Sequence, residues 1–179
     1  MFFVSDIFTM PPDKFNTNLQ KEVYRVLQNL NIPFERVDTD EAITMEDCVQ
    51  IEKKLDVKMV KTLLLCNRQQ TAFYLFITVG DKQFRSKDFS NALGIARVSF
   101  APVDLMEKIL GAKIGAATVF SAMVDNNNAL QIVFDKDVID EEWYGCSDGT
   151  TTGYMKIRTS QIINNFLPFV EHIPSNIVV

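Results

Sequence analysis

Two apolar runs in the first half of the chain constrain its fold more than any other feature. Residues 62–66 and 72–79 are almost entirely apolar, and the polar segment 67–70 separates them. Runs of this length with a turn between them predict two neighbouring strands. Their lack of polar alternation is typical of strands that are covered on both faces. We therefore expect a sheet at the centre of the molecule, with other elements packed on both sides of it.

Helical and strand patterns surround these two runs. Apolar residues recur at helical spacing over residues 18–31, and Thr44 followed by Asp47 indicates a variant capping box that opens a helix ending near Leu55. Further helices are predicted at 87–93, 102–111, 137–143 and 160–170, and further strands at 34–37, 97–100, 118–123, 130–134 and 154–157. This mixture of helices and hairpins predicts an α/β fold with a mixed sheet. We expect one domain over residues 1–179, with residues 1–17 as an N-terminal extension.

Charge is unevenly distributed along the chain. Residues 53–97 contain nine basic and three acidic residues, so this stretch carries +6, whereas the remainder carries −11 because the whole chain has a net charge of −5. A basic segment in an acidic protein is typical of a local contact with phosphate groups. A solvated face of a helix and a hairpin is an equally simple interpretation of the same pattern.

The usual catalytic and metal-binding patterns are missing. The chain has a single histidine, His172, which lies after the last predicted helix, so a serine or cysteine triad would depend on it. The three cysteines have no metal-like spacing, and no phosphate-binding or dinucleotide-binding glycine motif occurs. We therefore expect no metal and no cofactor. No apolar stretch is long enough for a membrane span, and we expect neither a membrane nor a DNA partner.

Two local features are candidates for a binding site. Residues 111–117 form a loop of small residues, in which backbone N–H groups can approach an oxyanion or a phosphate closely. The loop is also explained as a tight connection between packed elements. Lys61 stands at the start of the first apolar run, where its ammonium lies near the end of the sheet. A lysine that simply extends its head group to water explains this position as well.

Read in order, several segments resemble the YbaK/prolyl-tRNA synthetase-associated domain family. Residues 30–34 (Leu-Asn-Ile-Pro-Phe) are similar to the opening motif of the family, and residues 60–65 (Val-Lys-Thr-Leu-Leu-Leu) are similar to its lysine-containing strand. Residues 94–101 match its arginine-serine-phenylalanine motif, and residues 115–120, with Asp125, occupy its glycine loop. The resemblance runs from about Leu19 to the C-terminus. It implies a single-domain YbaK-like fold, a mixed and mostly antiparallel sheet or barrel surrounded by helices.

The resemblance also implies a function. Members of the family hydrolyse the ester of amino acids wrongly loaded on tRNA, so the chain is expected to be a trans-editing aminoacyl-tRNA deacylase acting on mischarged tRNA(Pro), with alanine as the amino acid removed. The expected partners are the 3′ end of this tRNA and prolyl-tRNA synthetase, and the expected location is the cytoplasm. By resemblance the catalytic residues are Lys61 and Gly115, and the substrate-binding residues are Thr62, Ala116, Ala117, Thr118, Val119, Ser121, Asp125, Ser147 and Asp148.

This sequence departs from the family pattern at several of these positions. Val119 stands where many members have proline, Ser121 where they have glycine, and Thr39 where an early histidine is common. Residues 147–151 (Ser-Asp-Gly-Thr-Thr) replace a segment that often contains histidine and asparagine. The departures leave an alternative open, in which the chain binds aminoacyl-tRNA or an amino acid as a regulatory protein without turnover.

Overall fold

The two apolar runs form a hairpin at the centre of a mixed sheet. The structure is a computed structural model, which describes residues 1–125 and 129–179. The hairpin strands are antiparallel, with Lys61 opposite Thr78 and Leu64 opposite Leu75. The predicted hairpin is confirmed. The second strand is buried through its middle, but the residues in the first half of the first strand are only half-buried.

The strands of the described residues form two sheets. One sheet has the order β4-β2-β3-β5-β8, and the other has the order β1-β7-β6. The β3–β5 and β5–β8 pairs are parallel, and the other four pairs are antiparallel. The strands are β1 (Glu35–Asp38), β2 (Val60–Cys66), β3 (Phe73–Val79), β4 (Ser99–Phe100), β5 (Leu130–Asp135), β6 (Trp143–Ser147), β7 (Gly153–Arg158) and β8 (Ser175–Ile177). The mixed and mostly antiparallel α/β fold is confirmed.

Helices cover both sheets, and their ends follow local sequence signals. Thr17 caps α1 by accepting a hydrogen bond from the Gln20 N–H, and Thr44 and Asp47 form the predicted capping box of α2. The helices are α1 (Asn18–Asn29), α2 (Met45–Leu55), α3 (Ser86–Leu93), α4 (Val103–Leu110), α5 (Lys136–Ile139), α6 (Thr159–Gln161) and α7 (Leu167–Phe169), with a 3-10 helix at Val119–Val124 and a π-helical turn at Ile162–Phe166. No helix among the described residues is long and apolar enough to span a membrane.

The pleat of β2 separates two hydrophobic clusters. Leu64 and Cys66 belong to the main cluster, which also contains α1 residues and the 3-10 helix. Leu63 and Leu65 belong to a second cluster on the opposite face, where Phe89 of α3 packs. Because successive side chains of a strand alternate between faces, the position of every β2 residue follows from this assignment. We refer below to these as the main-core face and the α3 face of β2.

Three sequence-based expectations were wrong. Residues 118–123 were expected to form a strand, but Val119–Val124 is a 3-10 helix whose Phe120 inserts into the main cluster and packs edge-on against Phe166. The helix expected at 137–143 is limited to Lys136–Ile139, because Trp143 begins β6. Neither β6 nor β8 was expected. Residues 1–17 pair with β1 through Ser5 and Phe8, which bond to the backbone of Asp38 and Arg36.

Candidate functional site

The small-residue loop lies between α4 and the 3-10 helix and is partly accessible. Gly111 ends α4 with a φ of +68°, and Gly115 has a φ of +84°. Ala112 and Ala116 are buried, whereas Gly115 is exposed and Ala117 is half-buried. Glycine adopts positive φ without the steric penalty that a Cβ brings. The loop therefore anchors itself through its alanines and presents the backbone around Gly115 to solvent.

The loop is fastened to the connection between β6 and β7. The Thr118 hydroxyl, which is buried, donates a 2.9 Å hydrogen bond to the Ser147 carbonyl. A Cβ placed on Gly115 would lie 3.7 Å from the methyl group of Thr151. In turn, the Thr151 carbonyl accepts a 3.1 Å hydrogen bond from the Ala42 N–H. The backbone around Gly115 is thus held against a second, braced loop, and the two loops form the walls of one candidate site.

Asp148 is the centre of a buried hydrogen-bond network. Its side chain is 1% exposed. One carboxylate oxygen accepts hydrogen bonds from Gln20 Nε2 at 2.9 Å and from the Tyr24 hydroxyl at 2.8 Å. The other accepts from the N–H and the hydroxyl of Thr150 at 3.2 Å and 2.7 Å. Burial, followed by the charge and hydrogen bond of Asp148, raises the pKa of the Tyr24 hydroxyl far above its usual value.

This arrangement corrects the expected role of Asp148. All four of its hydrogen bonds are internal, so the carboxylate holds the 147–152 connection to α1 and does not face a ligand. Sequence reasoning did not single out Gln20 and Tyr24, which lie on the buried side of α1. The available signal was a glutamine beside the apolar stripe of that helix, since a buried amide needs a partner. The Ser147 hydroxyl is also internal, because it donates to the Thr150 carbonyl at 2.6 Å.

Three other expected substrate-binding residues are structural. Val119 is buried in the main cluster. The Ser121 hydroxyl is buried and donates a 2.7 Å hydrogen bond to the Leu110 carbonyl at the end of α4. Asp125 accepts hydrogen bonds from the N–H groups of Ala129 and Leu130 at 3.0 Å and 2.8 Å, so it shapes the start of β5. Its carboxylate lies 3.5 Å from Nε2 of the buried His172.

Lys61 and the small-residue loop do not share a face of β2. Lys61 alternates with Leu63 and Leu65, so its side chain leaves the strand on the α3 face, and its ammonium donates to the Lys82 carbonyl. Ala116 and Val119 of the loop belong to the main cluster on the other face. Lys61, which the resemblance gives as a catalytic residue together with Gly115, therefore leaves the sheet on the face opposite to the loop. Because successive side chains of a strand alternate between its faces, the neighbouring Thr62 lies on the main-core face.

Thr62 lies beyond the part of β2 that pairs with β4. The Ala101 N–H bonds to the Leu64 carbonyl, so Leu64 directs its backbone polar groups away from β3. Alternate residues of an antiparallel strand direct these groups to the same side, and Thr62 therefore does so too. β4 pairs with Leu65 and Cys66 and does not extend to Thr62. The side chain of Thr62 is half-buried, and its hydroxyl forms no hydrogen bond within residues 1–125 and 129–179.

Comparison with known proteins shows the family to which the chain belongs. A family model described as the aminoacyl-tRNA editing domain matches residues 39–164, which is more than half of the chain. The chain belongs to the aminoacyl-tRNA editing domain family. The matched residues include β2, the small-residue loop and the 147–152 connection, so both walls of the candidate site lie in the family's domain.

Similar proteins show how far the likeness to this editing family extends. The prolyl-tRNA editing protein ProX of Acetoanaerobium sticklandii is 26% identical over 120 residues, which are 67% of this chain and 73% of that protein. The solved structure of a candidate trans-editing enzyme for prolyl-tRNA synthetase superposes with a TM-score of 0.64 at 14% identity, covering 92% of this chain and 99% of that chain. A scaffold protein from work on epitope backbone grafting gives a TM-score of 0.66 at 15% identity, with 91% and 98% covered. The two structural likenesses show the fold.

Proposed function

We propose that the chain is a trans-editing deacylase that removes alanine from mischarged tRNA(Pro). The observation that carries the proposal is the exposed backbone around Gly115, which faces Thr151, with Thr62 on the same face of β2 as the loop. These elements lie within the editing domain, and ProX, a similar protein, is named for prolyl-tRNA editing. A Cβ on Gly115 would already be in van der Waals contact with the Thr151 methyl group, and this limited space favours a small aminoacyl side chain.

The chemistry requires positioning more than a strong base. Water attacks the ester carbonyl carbon, the bond from this carbon to the ribose oxygen breaks, and the ribose oxygen takes up a proton. Backbone N–H groups at Gly115 and Ala117, with those at Thr62, orient the carbonyl and stabilise the charge that develops on its oxygen. Lys61 contacts a phosphate of the 3′ end from the α3 face of β2 as a point charge. We place this activity in the cytoplasm, with prolyl-tRNA synthetase as a partner.

A matched pair of glycine variants tests the proposal. Gly115→Ala and Gly94→Ala both introduce a Cβ at positive φ, so both carry a similar backbone cost of about 1 kcal/mol. Only Gly115→Ala directs its methyl group at Thr151, since nothing lies within 4 Å of a Cβ on Gly94. We expect Gly115→Ala to slow release of alanine from Ala-tRNA(Pro) by about tenfold or more, and Gly94→Ala to keep the wild-type rate.

The assay follows ester loss from Ala-, Cys- and Pro-tRNA(Pro). Faster loss of the cysteinyl ester would show that cysteine, not alanine, is the amino acid removed, and the proposed deacylase activity would stand. The alternative function, a binding protein without turnover, is favoured by one observation: the polar side chains of Ser147, Asp148 and Thr150 are hydrogen-bonded within this connection. Stable binding of charged tRNA with no ester loss on any of the three species would replace our proposal with this alternative.

A further inference from the structure

An aromatic pair lies exposed on the α3 face of β2. Phe100 of β4 is directly opposite Leu65, so its ring projects from the same face as Lys61. The ring of Phe84 packs against it with 5.3 Å between centroids and is anchored by Phe76 and Phe89 beneath it, each at 6.1 Å. Phe100 is 59% exposed. One ring is thus fixed in the second cluster, and it holds the other ring at the surface.

A cleft and several positive charges adjoin this pair. The cleft, with a volume of about 300 Å³, lies beside Phe84 and is lined by Thr78, Gln83 and Arg85, among others. Arg85 and Lys87 are exposed, and neither forms a salt bridge with any residue that the structure describes. Lys61 reaches the same turn, because its ammonium bonds to the Lys82 carbonyl.

Lys82 itself is already neutralised. Its ammonium lies 2.7 Å from an Asp135 carboxylate oxygen and 2.8 Å from one of Asp137. Partial burial opposes protonation of Lys82, but the hydrogen bonds to these two carboxylates outweigh it and raise the pKa of the ammonium. The charges free to meet a ligand are therefore those of Arg85, Lys87 and Lys61, with Asp88 as the acidic residue of the cleft.

We propose that this Phe84–Phe100 surface, defined as Lys61, Phe84, Arg85, Lys87 and Phe100, binds unpaired nucleotides of RNA. A base stacks on the exposed ring of Phe100, and the flanking cations bind the adjacent phosphates. An exposed aromatic ring between basic side chains is the combination that single-stranded nucleic acid recognises without regard to sequence. The inference rests on the proposed function in one respect: the strand would be the single-stranded 3′ end that precedes the charged nucleotide.

Binding of a short fluorescein-labelled RNA ending in CCA, measured by fluorescence anisotropy, tests this surface directly. We expect Phe100→Ala to weaken binding about tenfold and Phe100→Trp to retain it, because the second variant keeps a ring on which a base can stack. Phe169→Ala is the matched control, since Phe169 is 51% exposed and lies outside this surface. Unfolding midpoints measured for all the variants identify any decrease in affinity that comes from unfolding.

The salt dependence of RNA binding tests the role of the basic side chains of the surface. Replacing Arg85 or Lys87 by glutamine should reduce the slope of log affinity against log salt by about 0.7 for each phosphate that the variant no longer binds. Lys14→Gln, an exposed lysine of the N-terminal extension, should leave the slope unchanged. Unaltered RNA binding by Phe100→Ala would overturn the proposal, and so would the absence of any RNA binding by the wild type.

The outcome for this surface can be separated from the outcome for the proposed function. If the wild type deacylates Ala-tRNA(Pro) while Phe100→Ala binds RNA as tightly as the wild type, the surface is wrong and the proposed function stands. If RNA binding depends on Phe100 while no aminoacyl ester is hydrolysed, the surface stands and the proposed activity falls.

Discussion

Removal of the Asp148 carboxylate should be among the most damaging single changes in this protein. Asp148→Ala leaves Gln20 Nε2, the Tyr24 hydroxyl, and the N–H and hydroxyl of Thr150 without their acceptor at a site that is 1% exposed. Each buried donor left unpaired costs about 1–3 kcal/mol, so the two donors of α1 alone cost about 4 kcal/mol. This is a large part of the roughly 5–15 kcal/mol by which a domain is stable. Tyr24→Phe removes one donor and leaves three for the carboxylate, so it should cost about 1 kcal/mol.

Urea unfolding followed by the fluorescence of the single tryptophan, Trp143, measures these values. Trp143 begins β6, the strand that leads to Asp148, so it reports on this part of the fold. Asp13→Asn is the control, since Asp13 is exposed, and it should change the free energy of unfolding by less than about 0.5 kcal/mol. In a double-mutant cycle, Asp148→Ala and Tyr24→Phe should be coupled by about 1–2 kcal/mol. A destabilisation by Asp148→Ala no larger than that of Asp13→Asn would refute the reasoning.

Other changes test neighbouring parts of the same region. Gly153→Ala would force its methyl group into the buried Asp148 carboxylate. It should therefore lower the unfolding midpoint much more than Gly94→Ala, which costs about 1 kcal/mol. Similar midpoints for the two variants would contradict this packing. Thr118→Val removes the donor to the Ser147 carbonyl and should cost about 1–2 kcal/mol in the same assay, whereas an unchanged value would show that the bond contributes nothing. Because burial raises the pKa of Tyr24 in the folded state, the unfolded state loses this proton first above about pH 10, and Tyr24 alone should lower stability there by about 1.4 kcal/mol per pH unit, in addition to the contributions of the buried Tyr144 and Tyr154. Tyr24→Phe should reduce this slope, and an identical slope in the variant would argue against a buried hydroxyl.

The sheet core could be predicted because its signals are local. The apolar runs of β2 and β3 and the capping box of α2 each lie within a few residues of one another, and each was found where it was expected. The segment 118–123 was misread because a short apolar run fits a buried strand and a buried helix equally well. Its conformation is decided by Phe120, which packs against Phe166 more than forty positions later. No local pattern contains that contact.

The candidate site was only partly predictable for the same reason. The small-residue loop was found from its composition, and the resemblance grouped it with Ser147 and Asp148, whose connection it contacts in the structure. The burial of Asp148 was not foreseen, because its partners Gln20 and Tyr24 lie on α1, more than a hundred residues earlier. A carboxylate in a polar loop is expected to be exposed, and only the packing of α1 over the loop shows that this one is buried.

The alternation of side chains along β2 gives Lys61 and Thr62 different roles in our proposal. Since the two are neighbours on one strand, their side chains must leave it on opposite faces, and a shift of one residue would exchange them. The register with β3 excludes such a shift. So do the clusters, because Leu64 belongs to the main cluster whereas Leu63 and Leu65 belong to the second. Thr62 therefore lies on the same face of the sheet as the loop at which we propose that the ester is broken, whereas Lys61 lies on the face that carries Phe84. A lysine on that face is suited to holding the nucleic-acid strand, and the bond-breaking step is left to backbone groups on the other side of the sheet.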